Sequence, residues 1–266
     1  MTKKAVKKVT TKAVKKVVVK ISPKLAKSQE KPKTKKVFNL HIIEKNADGK
    51  KIWEIEGVKT VAGNTVASSN KKLIEALMAE AISQGGLNPY APTLFSAYCT
   101  QRDFIETDEI NYDQIVQEEL TEDFISVTSV WLDTSAIFYE KKSPLPNFVH
   151  AHKEKFEAWF DQLGLGKGFI DQIPLEVIPD NVYQAFKDYF SNYTVYQKTA
   201  LCLIKGNFGG GCIVPPMVVE GLFSFEDFEN MTTLGYQIDD PEYHKYLSKC
   251  EMISNYLEAT GIKKED

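Results

Sequence analysis

Fourteen of the first 36 residues are lysine, one is acidic (Glu30) and none is aromatic. A segment carrying net +13 over that length buries too little apolar area to offset the entropy of ordering it, and its like charges repel. Pro23 and Pro32 interrupt it further. Residues 1–36 are therefore expected to be a disordered basic tail, which leaves folding to residues 37–266. The hexamer KAVKKV occurs twice, at 4–9 and 12–17, and spaces Val6, Val9, Val14 and Val17 by three, five and three. On a helix that makes only a ragged stripe, opposed by β-branching and lysine repulsion. A membrane-surface helix would call for Leu, Phe or Trp instead.

Beyond residue 36 the sign reverses. The whole chain is net −3, so residues 37–266 hold 19 bases against 35 acids, net −16. Such asymmetry points to a polyanionic partner for the tail, and the acidic body would repel that partner. Arg102 is the single arginine against 32 lysines. Arginine reads phosphate and guanine edges with a rigid fork, whereas lysine is a mobile point charge, so this tail suits sequence-independent neutralisation. An AT-rich genome also accounts for a lysine bias, and a solubilising tail with no partner stays open as an alternative.

The Lys-Ala-Val repeats, with Ser22-Pro23-Lys24 and Lys31-Pro32-Lys33, resemble the lysine-rich tails of linker histones and bacterial histone-like proteins. The likeness is compositional and stops before the body. It implies nucleic-acid condensation or anchoring through phosphate contacts. The residues that would make them are Lys3, Lys4, Lys7, Lys8, Lys12, Lys15, Lys16, Lys20, Lys24, Lys27, Lys31, Lys33, Lys35 and Lys36. The run Lys33-Thr34-Lys35-Lys36 also fits a nuclear-import pattern.

Cys99, Cys202, Cys212 and Cys250 are scattered, with no C-x-x-C, which suggests free thiols in a reducing compartment. No apolar run approaches the ~18 residues of a membrane helix. The N-terminus lacks the apolar core of a secretory signal, and a transit peptide would be richer in Arg and Ser. The expected setting is intracellular, in a nucleoid, a nucleus or a virion interior, with no membrane partner.

For residues 37–266 the pattern predicts an α+β fold: one acidic mixed α/β domain with an N-terminal β-hairpin and about four amphipathic helices. The runs 37–45 and 51–58 flank Asp48-Gly49, a hairpin signature. Ser69 or Asn70 caps a helix to residue 83, closed by Gly85-Gly86, with Ile74, Leu77, Met78, Ala81 and Ile82 facing the core. Helices are also predicted over 148–163, 180–193 and 240–259, the last opened by Asp240 and Pro241 and stopped at Gly261. Residues 125–139 read as a strand or strand pair. The apolar runs 195–204 and 212–219 read as buried strands around a glycine loop.

Candidate chemistry is sparse. The loop Lys205-Gly206-Asn207-Phe208-Gly209-Gly210-Gly211-Cys212 could nest an anion or present Cys212 as a nucleophile, but it matches no phosphate-binding fingerprint and reads best as a hairpin loop. His150 and His152 point apart on a helix, which leaves His152 on the apolar stripe as a core histidine. Asp239, Asp240, Glu242 and His244 could hold a metal, yet they are also what a helix N-terminus prefers. Between residues 106 and 123 stand eight carboxylates and no base, read as a solvated face, with Arg102 pairing one of the acids.

No catalytic residue, metal or cofactor is assigned. The expected function is that of a non-enzymatic nucleic-acid-associated structural or packaging protein, whose acidic body contacts other proteins or itself. An enzyme with a site near Gly206–Cys212 and a protein-binding adaptor are the alternatives.

Overall fold

The computed structural model describes residues 40–107, 151–166, 168, 180–208, 214–224, 227 and 241–262. The tail, the 125–139 strand pair and nearly all of the acidic run lie outside them. The fold is α+β, and the chain divides after Leu87 into two compact units.

The first unit is a three-stranded antiparallel sheet in the order β1-β2-β3, with one helix packed on it. Strands β1 (Ile42–Ala47) and β2 (Lys50–Lys59) form the hairpin that the sequence predicts. Its turn residues Asp48 and Gly49 both take positive φ, 51° and 79°. That geometry matches the right-handed twist of the flanking strands, and Asp-Gly supplies it at low steric cost. Diagonal ion pairs brace the hairpin on both faces, Lys45 to Glu54 at 2.6 Å and Lys51 to Glu44 at 3.0 Å. Gly57, at φ 77°, lies where the β2–β3 register shifts, so only a residue without Cβ takes that bulge cheaply. Strand β3 (Thr65–Ser68) is four residues long and is not predicted from the sequence.

Helix α1 (Lys71–Gln84) has the predicted caps. Asn70 accepts from the Leu73 amide, and Gly85 ends the helix at φ 73°. Its buried stripe is Leu73, Ile74, Leu77 and Ala81. The predicted stripe is rotated from this one, leaving Ile82 59% exposed.

The second unit is helical in its described residues. Helix α2 (Leu94–Thr100) opens with a reciprocal Thr93–Ser96 capping box and runs into a π-helical turn, Gln101–Ile105. Helices α3 (Lys153–Gln162) and α4 (Asp180–Ser191) fall inside two of the predicted spans, and α7 (Pro241–Thr260) matches the third to within one residue at each end. The strands expected over 195–204 and 212–219 are instead helices α5 (Val195–Phe208) and α6 (Val214–Val219).

Local chemistry explains this correction. Gln197 N–H donates to Thr194 Oγ1 at 3.2 Å and Thr194 N–H to Gln197 Oε1 at 3.0 Å, a T-x-x-Q capping box that starts α5. Thr199, Ala200, Leu203 and Ile204 then recur at helical spacing, all buried. In α6, Pro215 and Pro216 occupy the first turn, where no amide donor is needed, whereas a central strand has no place for them. Helices α2, α5 and α7 pack on one another, and α5 also packs on α6.

Candidate functional site

The 14 lysines of the predicted interface lie outside the described residues, but the division into units refines their electrostatic setting. Residues 37–87 hold six lysines and six carboxylates, net zero, while residues 88–266 hold 13 bases and 29 acids, net −16. The acidic surplus thus belongs wholly to the second unit. All six lysines of residues 37–87 are exposed.

Residues 205–208 of the predicted glycine loop are the last turn of α5, so no strand precedes the glycines. Gly209 to Cys212 lie outside the described residues. A Cβ built on Gly206 meets nothing within 4 Å, so packing does not require glycine there. Cys99 and Cys250 are buried and Cys202 is half-buried, all as free thiols. Among the described residues no group of three His, Cys, Asp or Glu is placed to hold a metal ion. Asp239 and Asp240 are not described; Pro241 opens α7, and His244 is exposed on it. No helix among the described residues is long and apolar enough to cross a membrane.

His152 is half-buried at the start of α3 rather than enclosed in the core. Its ring meets Phe223 edge-on at 5.0 Å, and Lys155 Nζ lies 5.0 Å from the same ring centroid. Lys155 also donates to the Leu222 carbonyl at 2.9 Å. Burial, then the Lys155 charge, hold the imidazole below its ordinary value, with Asp227 opposing. The His152 ring and the Lys155 side chain thus both pack against Phe223 in the turn after α6.

Two polar networks escape sequence reading. Tyr189 and Tyr193, one turn apart on and just beyond α4, both donate to the Glu220 carboxylate at the end of α6. Glu220 is 31 and 27 residues away from them, and nothing local in the sequence marks the partnership. Burial, followed by the Glu220 interactions, raises both phenols above the ordinary tyrosine value.

In the second network the buried Tyr256 hydroxyl donates to Gln101 Oε1 at 2.7 Å, and Gln101 Nε2 donates to Glu106 at 2.8 Å. Glu106 also accepts from Arg102, as the sequence reading expected of one nearby acid. This chain ties α7 to the π-turn. Burial raises the Tyr256 phenol as well.

These raised phenols set an alkaline limit. A group whose folded value is raised contributes stability fully below its unfolded value, here about 10, and loses it as pH climbs toward the folded value. Stability measured by thermal melts is expected to fall steadily above pH ~10, with phenolate absorbance of the buried tyrosines appearing only on unfolding. Tyr193→Phe with Tyr256→Phe should flatten that fall. An unchanged slope in the double variant would refute the assignment.

A groove of about 470 Å³ lies between the end of α3 and one face of α4, lined by Gln162, Leu163, Gln184, Asp188, Tyr189 and Asn192. Gln184 donates to Asp188 at 2.6 Å, and the rim is largely carboxamide, with no nucleophile–base pair. No protein-family model, curated protein or solved structure matches this chain.

Proposed function

We propose that this chain is a non-enzymatic, nucleic-acid-associated structural or packaging protein. Its lysine-rich tail neutralises phosphate without reading sequence, and its acidic helical unit contacts proteins or further copies of the chain. A nucleoid, a nucleus or a virion interior is the setting such a division of labour fits. The observation that carries this reading is the charge partition: +13 over residues 1–36, zero over 37–87, −16 over 88–266. A polyanion meets net attraction only at the N-terminal end, which leaves the acidic unit to other partners.

The test is a salt series on the intact chain with duplex DNA and duplex RNA of random sequence. If most of the tail charges engage, log K falls with log[salt] at a slope of about −10, from about −0.9 per phosphate contact. Between about 50 and 200 mM salt that is a loss on the order of 10⁶ in affinity. Binding that ignores salt, or that depends on base sequence, would overturn the proposal.

A further inference from the structure

We infer that the phosphate-contact surface does not end with the tail but continues onto the β1–β2 hairpin through Lys59 and Lys50. This rests on the reading above and adds to it a folded platform with named contacts.

Reach comes first. The last tail lysine, Lys36, precedes Ile42 by six residues, a span of at most about 20 Å. The Glu56 amide donates to the His41 carbonyl at 2.9 Å, so the chain enters the sheet alongside the 56–59 end of β2. Lys59 sits at that end, and Lys50 at the opposite end beside the Asp48-Gly49 turn. A nucleic acid held by the tail is therefore delivered to β2 at Lys59, with Lys50 further along the same strand.

Charge comes second. Lys45, Lys51 and Lys71 are engaged by Glu54, Glu44 and Glu75. Lys50 and Lys59 are exposed and have no carboxylate partner among the described residues; Lys59 donates instead to the Thr65 hydroxyl at 2.7 Å. A lysine without a neutralising partner keeps its full charge for phosphate. The unit around it is neutral, whereas residues 88–266 at −16 repel a polyanion, so of the two units this is the one that phosphate approaches without net repulsion.

The full-length chain is tested as Lys50→Glu/Lys59→Glu, with Lys153→Glu/Lys245→Glu as a control that changes net charge equally on the helical unit. Circular dichroism and thermal melts confirm folding, and Lys50→Gln/Lys59→Gln supplies a milder second variant. Salt series on duplex DNA and duplex RNA should show the hairpin variant's slope shallower by about 1.8, two contacts at about 0.9 each, with the control unchanged. A hairpin variant with the parent slope, or a control that shifts equally, overturns the inference while leaving the tail reading intact. Absence of salt-dependent binding by the unmutated chain would instead sink that reading itself.

Discussion

Deletion of residues 1–36 is expected to lower affinity for random-sequence duplex by at least about a thousandfold at low salt, the scale set by losing six or more phosphate contacts. The deletion removes 14 of the chain's 33 basic residues and leaves a protein of net −16. Coulomb repulsion between that remainder and a duplex opposes approach over a distance of about 10 Å at ordinary salt. Two hairpin lysines cannot offset it, so the truncated chain should bind only near the detection limit of a titration. A scrambled tail of the same composition, with both KAVKKV hexamers broken, should bind like the parent, because counterion release depends on charge density and not on order. Affinity unchanged by deletion would overturn the proposed function. Affinity lost on scrambling would mean that the repeat is read as a shape.

What the sequence revealed follows how local each determinant is. Helix α1 was legible to its caps because Asn70 and Gly85 act within one turn of the residues they close. The hairpin was legible for the same reason: Asp48-Gly49 dictates its own turn. Helices α5 and α6 were misread because long apolar runs satisfy both strand and buried helix. The arbiters, Thr194 with Gln197 and the Pro215-Pro216 pair, were present but carried less weight than hydrophobicity. Strand β3 has four residues and exists because β2 supplies its partner.

The polar networks were illegible in principle. Tyr256 meets Gln101 across 155 residues, and Glu220 meets two tyrosines 31 and 27 residues before it in the chain. The tail's charge could be counted directly. That its counterweight lies in one unit and spares the other became visible only with the boundary after Leu87.

Replacing Trp159 by alanine is expected to destabilise the helical unit by about 3–5 kcal/mol, the cost of emptying a large aromatic site. Trp159 is fully buried on α3. Its ring lies 5.5 Å from Phe160 and Phe186 and 6.2 Å from Tyr189, the last two edge-on. Phe186 continues the cluster to Phe190 at 6.0 Å, and Phe190 to Tyr193 at 5.2 Å. The indole therefore joins α3 to Phe186 and Tyr189 of α4, and edge-to-face contacts add to the area it buries. Rigid rings on two helices cannot collapse into the void, so the cavity term should be nearly complete.

Urea titration followed by circular dichroism reads the change as a lower midpoint at constant slope. Trp159→Phe should recover most of the loss. Trp53→Ala, at a half-buried position on β2, provides the comparison and should cost clearly less. If Trp159→Ala proved no more damaging than Trp53→Ala, the aromatic cluster would not be the centre of the helical unit, and the α2–α5–α7 packing would have to carry its stability instead.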